Sequence, residues 1–310
     1  MKYVIALDVG GTGMKAALVG PDGGLLHEAR RPTDRGRGPA AVTAAVLGFA
    51  ADLARAGAER YGRAPAAAGV AVPGILDEPA GVVRFASNLG WTDLPLRDLL
   101  AEHLGLPVAL SHDVRTGGLA EGRIGAGAGV DRFLFVPLGT GIAGAIGIDG
   151  RVEAGAHGGA GEIGHVVVRP DGPACGCGQR GCLETLASAS AVGRAWARAS
   201  GDPTATAADA ARAVVAGDPR AVAVWQEAVD ALAAGLVTAV TLLDPRTLII
   251  GGGLAEAGDT LFTPLRRAVA AALTFQRAPL IVPAALGDAA GCLGAGLLAW
   301  DLLSAEVATR

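Results

Sequence analysis

The sequence predicts an α/β protein of two domains with related topology. Apolar runs of strand length alternate with Ala-rich segments of helical spacing along all 310 residues, the pattern of mixed strand and helix layers. One strand–turn–strand unit also occurs twice. GTGMKAALVGPDG, from Gly11, and GTGIAGAIGIDG, from Gly139, align with one gap and share the Gly-Thr-Gly turn, the apolar strand and the closing Asp-Gly. The chain is long enough for two domains. It is 51% hydrophobic but only 4% aromatic, so its cores must be built from Ala, Val, Leu and Ile.

In chain order, Tyr3 to Leu7 reads as a strand ending at Asp8 and the turn Gly10-Gly11-Thr12-Gly13. Lys15 to Val19 is a second strand, and Pro21-Asp22-Gly23-Gly24 turns into a third, Leu25 to Arg30. Arg30 to Pro39 reads as a loop, Pro39 to Tyr61 as a long helix and Leu94 to Leu104 as a shorter one. Leu106 to Ser111 is an apolar segment closed by Asp113. Phe133 to Leu138 repeats the first strand, runs into Gly139-Thr140-Gly141 and is followed by Ile142 to Ile148. Leu183 to Ser200 reads as one helix, and Arg220 to Leu243 as a long apolar helix stopped by Asp244-Pro245. The strand Thr247 to Ile250 meets Gly251-Gly252-Gly253, and Ala289 to Leu303 is helical again.

The net charge of −4 gives no electrostatic footprint for nucleic acid. Charges or glycines interrupt every apolar run before membrane-spanning length, and the amino terminus lacks a cleavage region. A cytoplasmic protein with no membrane or nucleic-acid partner is expected.

Three of the four cysteines fall within CGCGQRGC, at Cys175, Cys177 and Cys182, with His165 ten positions earlier. Thiolates with an imidazole suit a tetrahedral zinc site. A disulfide and unligated buried thiols are the alternatives; three cysteines in one loop cannot all pair, and Cys292 is the only distant partner. Glu162 and Glu184 flank the loop, so an ion that fixes the loop also fixes these acids.

The glycine turns carry the second line of chemistry. A strand ending in Asp and then Gly-Gly-Thr-Gly exposes backbone N–H groups that can cradle phosphate oxygens. Thr12 can add a hydroxyl and Lys15 a cation. Asp8 could hold Mg²⁺ through water, since Mg²⁺ keeps several waters and few carboxylates. Gly139, Thr140 and Gly141 offer a second cradle, and Gly251, Gly252 and Gly253 allow close approach of a base or ribose. Each turn alone is a weak signal; three at strand ends together point to a nucleotide. Neither a Walker motif nor a dinucleotide fingerprint is present. Asp113 at a strand end is a candidate catalytic acid and equally a helix N-cap, and Asn88 in SNLGW can both donate to and accept from hydroxyl groups.

The set DVGGTGMK, SNLGW, PLGTGIAGA, EIGH, CGCGQRGCLE and LIIGGGLA, in this order over nearly the whole chain, resembles the ROK family of sugar kinases and repressors. The EIGH-to-cysteine arrangement is the specific part. The resemblance implies an actin-like ATPase/hexokinase fold with a duplicated ribonuclease H-like motif, two α/β domains around a cleft. It places a small domain at residues 1–112 plus 289–310 and a large domain with the zinc loop at 113–288. It implies ATP with its phosphates on Gly10 to Thr12 and Gly139 to Gly141 and its adenosine near Gly251 to Gly253. Sugar hydroxyls fall to Asn88, Asp113, Glu162, His165 and Glu184, and structural Zn²⁺ to His165, Cys175, Cys177 and Cys182.

On this resemblance the activity is phosphorylation of glucose at its 6-hydroxyl, with Asp113 as general base, Mg²⁺ as cofactor, and a homodimer or homotetramer as the assembly. Fructose, N-acetylmannosamine or allose could replace glucose, and polyphosphate could replace ATP. A non-catalytic sugar sensor is a further alternative. A repressor of this family would carry a winged helix ahead of the kinase-like body, and only seven residues precede Asp8. Two departures stand out. His112-Asp113-Val114-Arg115 replaces the frequent Asn-Asp-Ala-Asn, and Ala143 and Ala145 stand where glycine is common.

Overall fold

The computed structural model describes residues 1–308. Its chain packs as two compact units: residues 1–120 with Ala154–Gly159 and the chain from Asp288 onward, and Glu121–Glu153 with Ala160–Gly287.

The first unit is built on strands β1 (Val4–Val9), β2 (Gly13–Val19) and β3 (Leu25–Pro32), helix α1 (Pro39–Tyr61) and strand β4 (Ala68–Val72). A small antiparallel sheet of β5 (Ile75–Asp77), β6 (Val82–Ala86) and β7 (Trp91–Leu94) follows. Then come α2 (Leu96–Leu104), β8 (Val108–His112) and α3 (Asp113–Ile124). The main sheet has the order β3-β2-β1-β4-β8; β1, β4 and β8 are parallel, whereas β2 and β3 are antiparallel to their neighbours. Strand β1 is apolar but for Asp8 because both of its faces are covered. Ile5, Leu7 and Val9 pack with Val42, Val46 and Phe49 of α1. On the other face Val4 and Ala6 pack with Ala295 and Ala299 of the C-terminal helix Ala290–Ala308.

The second unit repeats the plan. Strands β9 (Arg132–Pro137), β10 (Ala145–Ile148) and β11 (Arg151–Val152) precede helices α4 (Leu183–Ala187), α5 (Ala189–Ser200), α6 (Ala207–Val215) and α7 (Pro219–Leu243). Strand β12 (Thr247–Gly251), helix α8 (Asp259–Ala272) and strand β13 (Leu280–Pro283) complete it. The sheet order β11-β10-β9-β12-β13 matches that of the first unit strand for strand, with β9, β12 and β13 parallel. Its core sets Leu134, Val136, Leu248 and Ile250 against Trp225, Val229 and Leu236 of α7. The internal echo in the sequence is therefore a duplicated fold.

Two expectations need correction. Helices α1 and α7 are long and apolar enough to cross a membrane by length and composition. Their apolar faces are used in the cores just described, which accounts for that composition. The single helix expected from Leu183 to Ser200 is two. Ser188 adopts an extended backbone (φ −67°, ψ 157°) and its Oγ accepts the Ala191 N–H, capping α5. The Ala189 N–H then donates to the Gly139 carbonyl at 2.9 Å rather than to its own helix.

Candidate active site and metal cluster

In the first unit, β1 ends in a turn closed by a hydrogen bond from Gly10 N to Gly13 O, 2.9 Å. Thr33, fully buried, braces it: its Oγ1 donates to Gly10 O at 2.6 Å and its N–H to Thr12 O at 3.2 Å. Thr12 itself is exposed at the tip. Asn88 lies against this turn, since a methyl group at Gly11 would stand 3.2 Å from the Asn88 Cβ. Burial pushes the Asp8 carboxyl up to about 6; Lys15 opposes that shift, and the charges of Asp113 and Asp288 add to it. Asp8 and Asp113 thus sit within electrostatic reach of each other beside the turn. The Lys15 ammonium pairs with Asp288, which also accepts from Arg30 Nη1 at 2.8 Å. Hydrogen bonds from these two cations hold the Asp288 carboxyl below the usual carboxylate range, against a smaller effect of burial.

Asp113 is the first residue of α3. Its Oδ1 accepts the Val114 N–H at 2.7 Å and lies 3.2 Å from His112 Nδ1, so it has the geometry of a helix-start acid as well as a strand-end position. Close along the chain is an ion pair, buried on its arginine side, that sequence reasoning missed. Arg115, 5% exposed, donates through Nη2 to Glu78 Oε1 at 2.8 Å and through Nη1 to Gly158 O at 2.9 Å. Glu78 Oε1 also accepts from Ser111 Oγ and the His112 N–H. Burial acts to raise the Glu78 carboxyl, but the Arg115 charge and these hydrogen bonds together hold it below the usual range. The only signal in the sequence was Arg115 itself, a departure from the family pattern with its partner 37 residues away.

In the second unit, Gly139 N donates to Gly141 O at 3.0 Å, and Thr140, like Thr12, is exposed. Leu138 N donates to Gly251 O at 2.8 Å and Leu254 N to Leu138 O at 3.1 Å, so the second and third glycine turns adjoin. A cavity of about 390 Å³ opens beside Gly253, lined also by Leu254, Glu256, Ala208, Arg212 and Trp225.

The cysteine loop gathers as its spacing suggested. One ligand atom each from His165, Cys175, Cys177 and Cys182 all lie within 4.8 Å of one another. Cys175 Sγ is 3.5 Å from His165 Nδ1 and Cys177 Sγ is 3.7 Å from Cys182 Sγ. A tetrahedral ion with bonds of about 2.3 Å sets ligand–ligand edges of roughly 3.8 Å, close to the two separations just given, so the donor set suits one such ion. The disulfide alternative fails, as all four cysteines are free and Cys292 lies in the first unit against the Ala6 carbonyl. Burial and the neighbouring thiols push Cys182 up to about 12; a bound cation reverses that cost by taking the thiolate. His165 offers Nδ1 to the cluster, leaving Nε2 on the side of Glu162, 3.9 Å from its Oε2.

Glu184 does something the sequence did not indicate. Its Oε2 accepts the N–H of Ile142, at the end of the second glycine turn, at 2.9 Å. Of the expected site residues, Asp8, Gly10, Gly11, Thr12, Lys15, Asn88 and Asp113 belong to the first unit. Gly139 to Gly141, Glu162, His165, the loop cysteines, Glu184 and Gly251 to Gly253 belong to the second.

Comparison with known proteins agrees with the reading of the motifs. The model of the ROK family matches residues 4–301. A glucokinase of Thermotoga maritima is 35% identical over 311 residues, covering 94% of this chain and 95% of its own. A kanosamine kinase of Amycolatopsis mediterranei is 36% identical over 310 residues and 98% of each chain. The crystal structure of a ROK family glucokinase from Streptomyces griseus, in complex with glucose and AMPPNP, superposes with a TM-score of 0.80 at 32% identity, covering 96% of this chain and 99% of that one.

Proposed function

We propose that this chain, which belongs to the ROK family, is an ATP-dependent hexose kinase that phosphorylates glucose at the 6-hydroxyl. The observation that carries the reading is that two acids stand at the same end of the parallel strands β1, β4 and β8: Asp8 near the end of β1 and Asp113 directly after β8, close enough for its charge to act on Asp8. One acid can take a proton while the other attends a cation, the division of labour phosphoryl transfer requires.

In this mechanism the sugar 6-oxygen attacks the γ-phosphorus, Asp113 accepts the hydroxyl proton, and the bond from the γ-phosphorus to the β–γ bridging oxygen breaks to release ADP. Asp8 would hold Mg²⁺, which supplies charge neutralisation at the phosphates. The amides of the Gly10–Thr12 and Gly139–Gly141 turns, with the exposed hydroxyls of Thr12 and Thr140, receive phosphate oxygens. The cavity beside Gly253 is of a size to take the adenosine. Asn88, Asp113, Glu162, His165 and Glu184 hold sugar hydroxyls. Zn²⁺ suits the His165, Cys175, Cys177 and Cys182 set; four protein ligands leave no open position, so its role is structural. Glucose is favoured because relatives covering nearly the whole chain carry that specificity in their names; the kanosamine kinase shows that related chains also take amino sugars.

Asp113→Asn should lower kcat by about a thousandfold or more while glucose binding, read by calorimetry, survives. Turnover near that of the wild type would remove Asp113 from the chemistry. A coupled assay of ADP release over glucose, fructose, N-acetylmannosamine and allose, with ATP and polyphosphate as donors, tests the substrate. No ADP release with any of these sugars would favour the sensor reading instead.

A further inference from the structure

The metal loop holds more than sugar-binding groups. The turn Gly139–Ile142 is fastened at two points, and the chain just beyond it at a third, to segments that enter and leave the cysteine cluster. Ile142 N–H donates to Glu184 Oε2 at 2.9 Å, Ala189 N–H to Gly139 O at 2.9 Å, and Gly144 N–H to Gly161 O at 2.7 Å. Glu184 and Ala189 follow Cys182; Gly161 precedes Glu162 and His165. The contact is close by construction, since a methyl group at Gly141 would stand 2.2 Å from Glu184 Oε2.

The position of Glu184 is in turn set by the cluster. Cys182, fully buried, bridges to Val167, and Leu183 N–H donates to Val166 O at 2.9 Å while Val168 N–H donates to Gly181 O at 2.9 Å. An ion joining His165 to Cys182 would lock these two segments together, and Glu184 sits two residues beyond Cys182.

We propose that Glu184 is a positioning residue for the phosphate-binding turn Gly139–Ile142, so that metal occupancy of the cysteine loop sets nucleotide affinity as well as sugar affinity. This rests on the kinase reading and deepens it. The physical reason is the orientation of peptide planes. A glycine turn can present its N–H groups to phosphate only in one conformation, and glycine loses more conformational entropy than any other residue when it is fixed there. A carboxylate accepting the amide at the end of the turn fixes that peptide in advance. Its negative charge opposes phosphate, so the benefit comes from the hydrogen bond and not from the charge.

That distinction supplies the test. Full-length, metal-loaded wild type, Glu184→Ala and Glu184→Gln are titrated calorimetrically with Mg·ADP in the absence of sugar, with metal content measured in each. Glu184→Ala should bind Mg·ADP about tenfold more weakly with its metal retained. Glu184→Gln keeps a carbonyl acceptor for Ile142 N–H and should stay within about threefold of the wild type. If Glu184 serves only sugar hydroxyls, both variants lose glucose affinity and neither changes Mg·ADP affinity; that result overturns the proposal and leaves the kinase reading standing. A wild type that binds no Mg·ADP overturns both. Should Glu184→Ala fail to fold, hydrogen exchange of the wild type decides. Removing the metal with a chelator should deprotect peptides covering residues 138–145, and unchanged protection there rejects the coupling.

Discussion

The two glycine turns descend from the same motif in two sheets of identical strand order, yet they are supported in different ways. Each places a threonine, Thr12 or Thr140, exposed at its tip. The first is braced from within its own sheet, by Thr33 just past the end of the neighbouring hairpin strand β3. The second is braced by residues from 17 to 50 positions downstream, in segments on either side of the metal ligands. The strand ends differ as well. Asp8 stands in β1, whereas the equivalent position of β9, counted back from the shared Gly-Thr-Gly, is the fully buried Val136. A duplicated fold has placed ionic chemistry beside one copy and handed the other copy's support to a metal-organised loop.

The largest expected effect breaks the second support alone. Gly181 has φ +69°, and a methyl group there would stand 1.4 Å from Arg169 O. Gly181→Ala should therefore open the cysteine loop, lose bound metal and destabilise the second unit by about 3 kcal/mol or more. Metal analysis with denaturant unfolding checks it, and full metal retention would show that the loop does not depend on this close approach.

The buried acid of the first turn comes next. The Asp8 pKa is raised from 3.8 to about 6, so the stability associated with its neutral form is complete below about pH 3.8 and lost as pH rises through about 6. Asp8→Asn should thus stabilise the ligand-free protein above pH 6 by about 1–3 kcal/mol, with the difference vanishing near pH 4. Wild-type affinity for Mg·ADP should fall below pH 6, where Asp8 takes up its proton. A wild-type-to-variant stability difference that is flat between pH 4 and 8 contradicts the buried-charge account.

The smallest effect tests the first support. Thr33→Val deletes the 2.6 Å bond to Gly10 O and should cost about 1–2 kcal/mol of stability. It should weaken Mg·ADP binding with metal content unchanged. If Thr33→Val released the metal, the two supports would not be independent.

Much of this was legible in the chain. The first strand, the helix Pro39–Tyr61 and the paired Gly-Thr-Gly turns come from local periodicity and turn chemistry; the structure has the helix as expected, carries the first strand on through Asp8 to Val9, and begins the strand after the second turn at Ala145 rather than Ile142. The cysteine cluster was legible because its ligands lie within eighteen residues, and short loops can gather only near neighbours. The break at Ser188 was hidden because helical periodicity continues through it; what ends α4 there is the new start at Ser188, and the Ala189 N–H goes to a carbonyl 50 residues earlier.

By itself, then, the sequence determined the fold class, the duplication and the chemical types gathered at each turn, since these follow from spacing, propensity and side-chain chemistry close along the chain. Only the tertiary structure decided which partner each charged group takes. Lys15 goes to Asp288, Arg115 to Glu78, and Glu184 to the Ile142 amide. A charge or amide pairs with whatever donor or acceptor packing brings within about 3 Å, and separations of 42 to 273 residues, or a partner 37 residues back, leave no local trace of that choice.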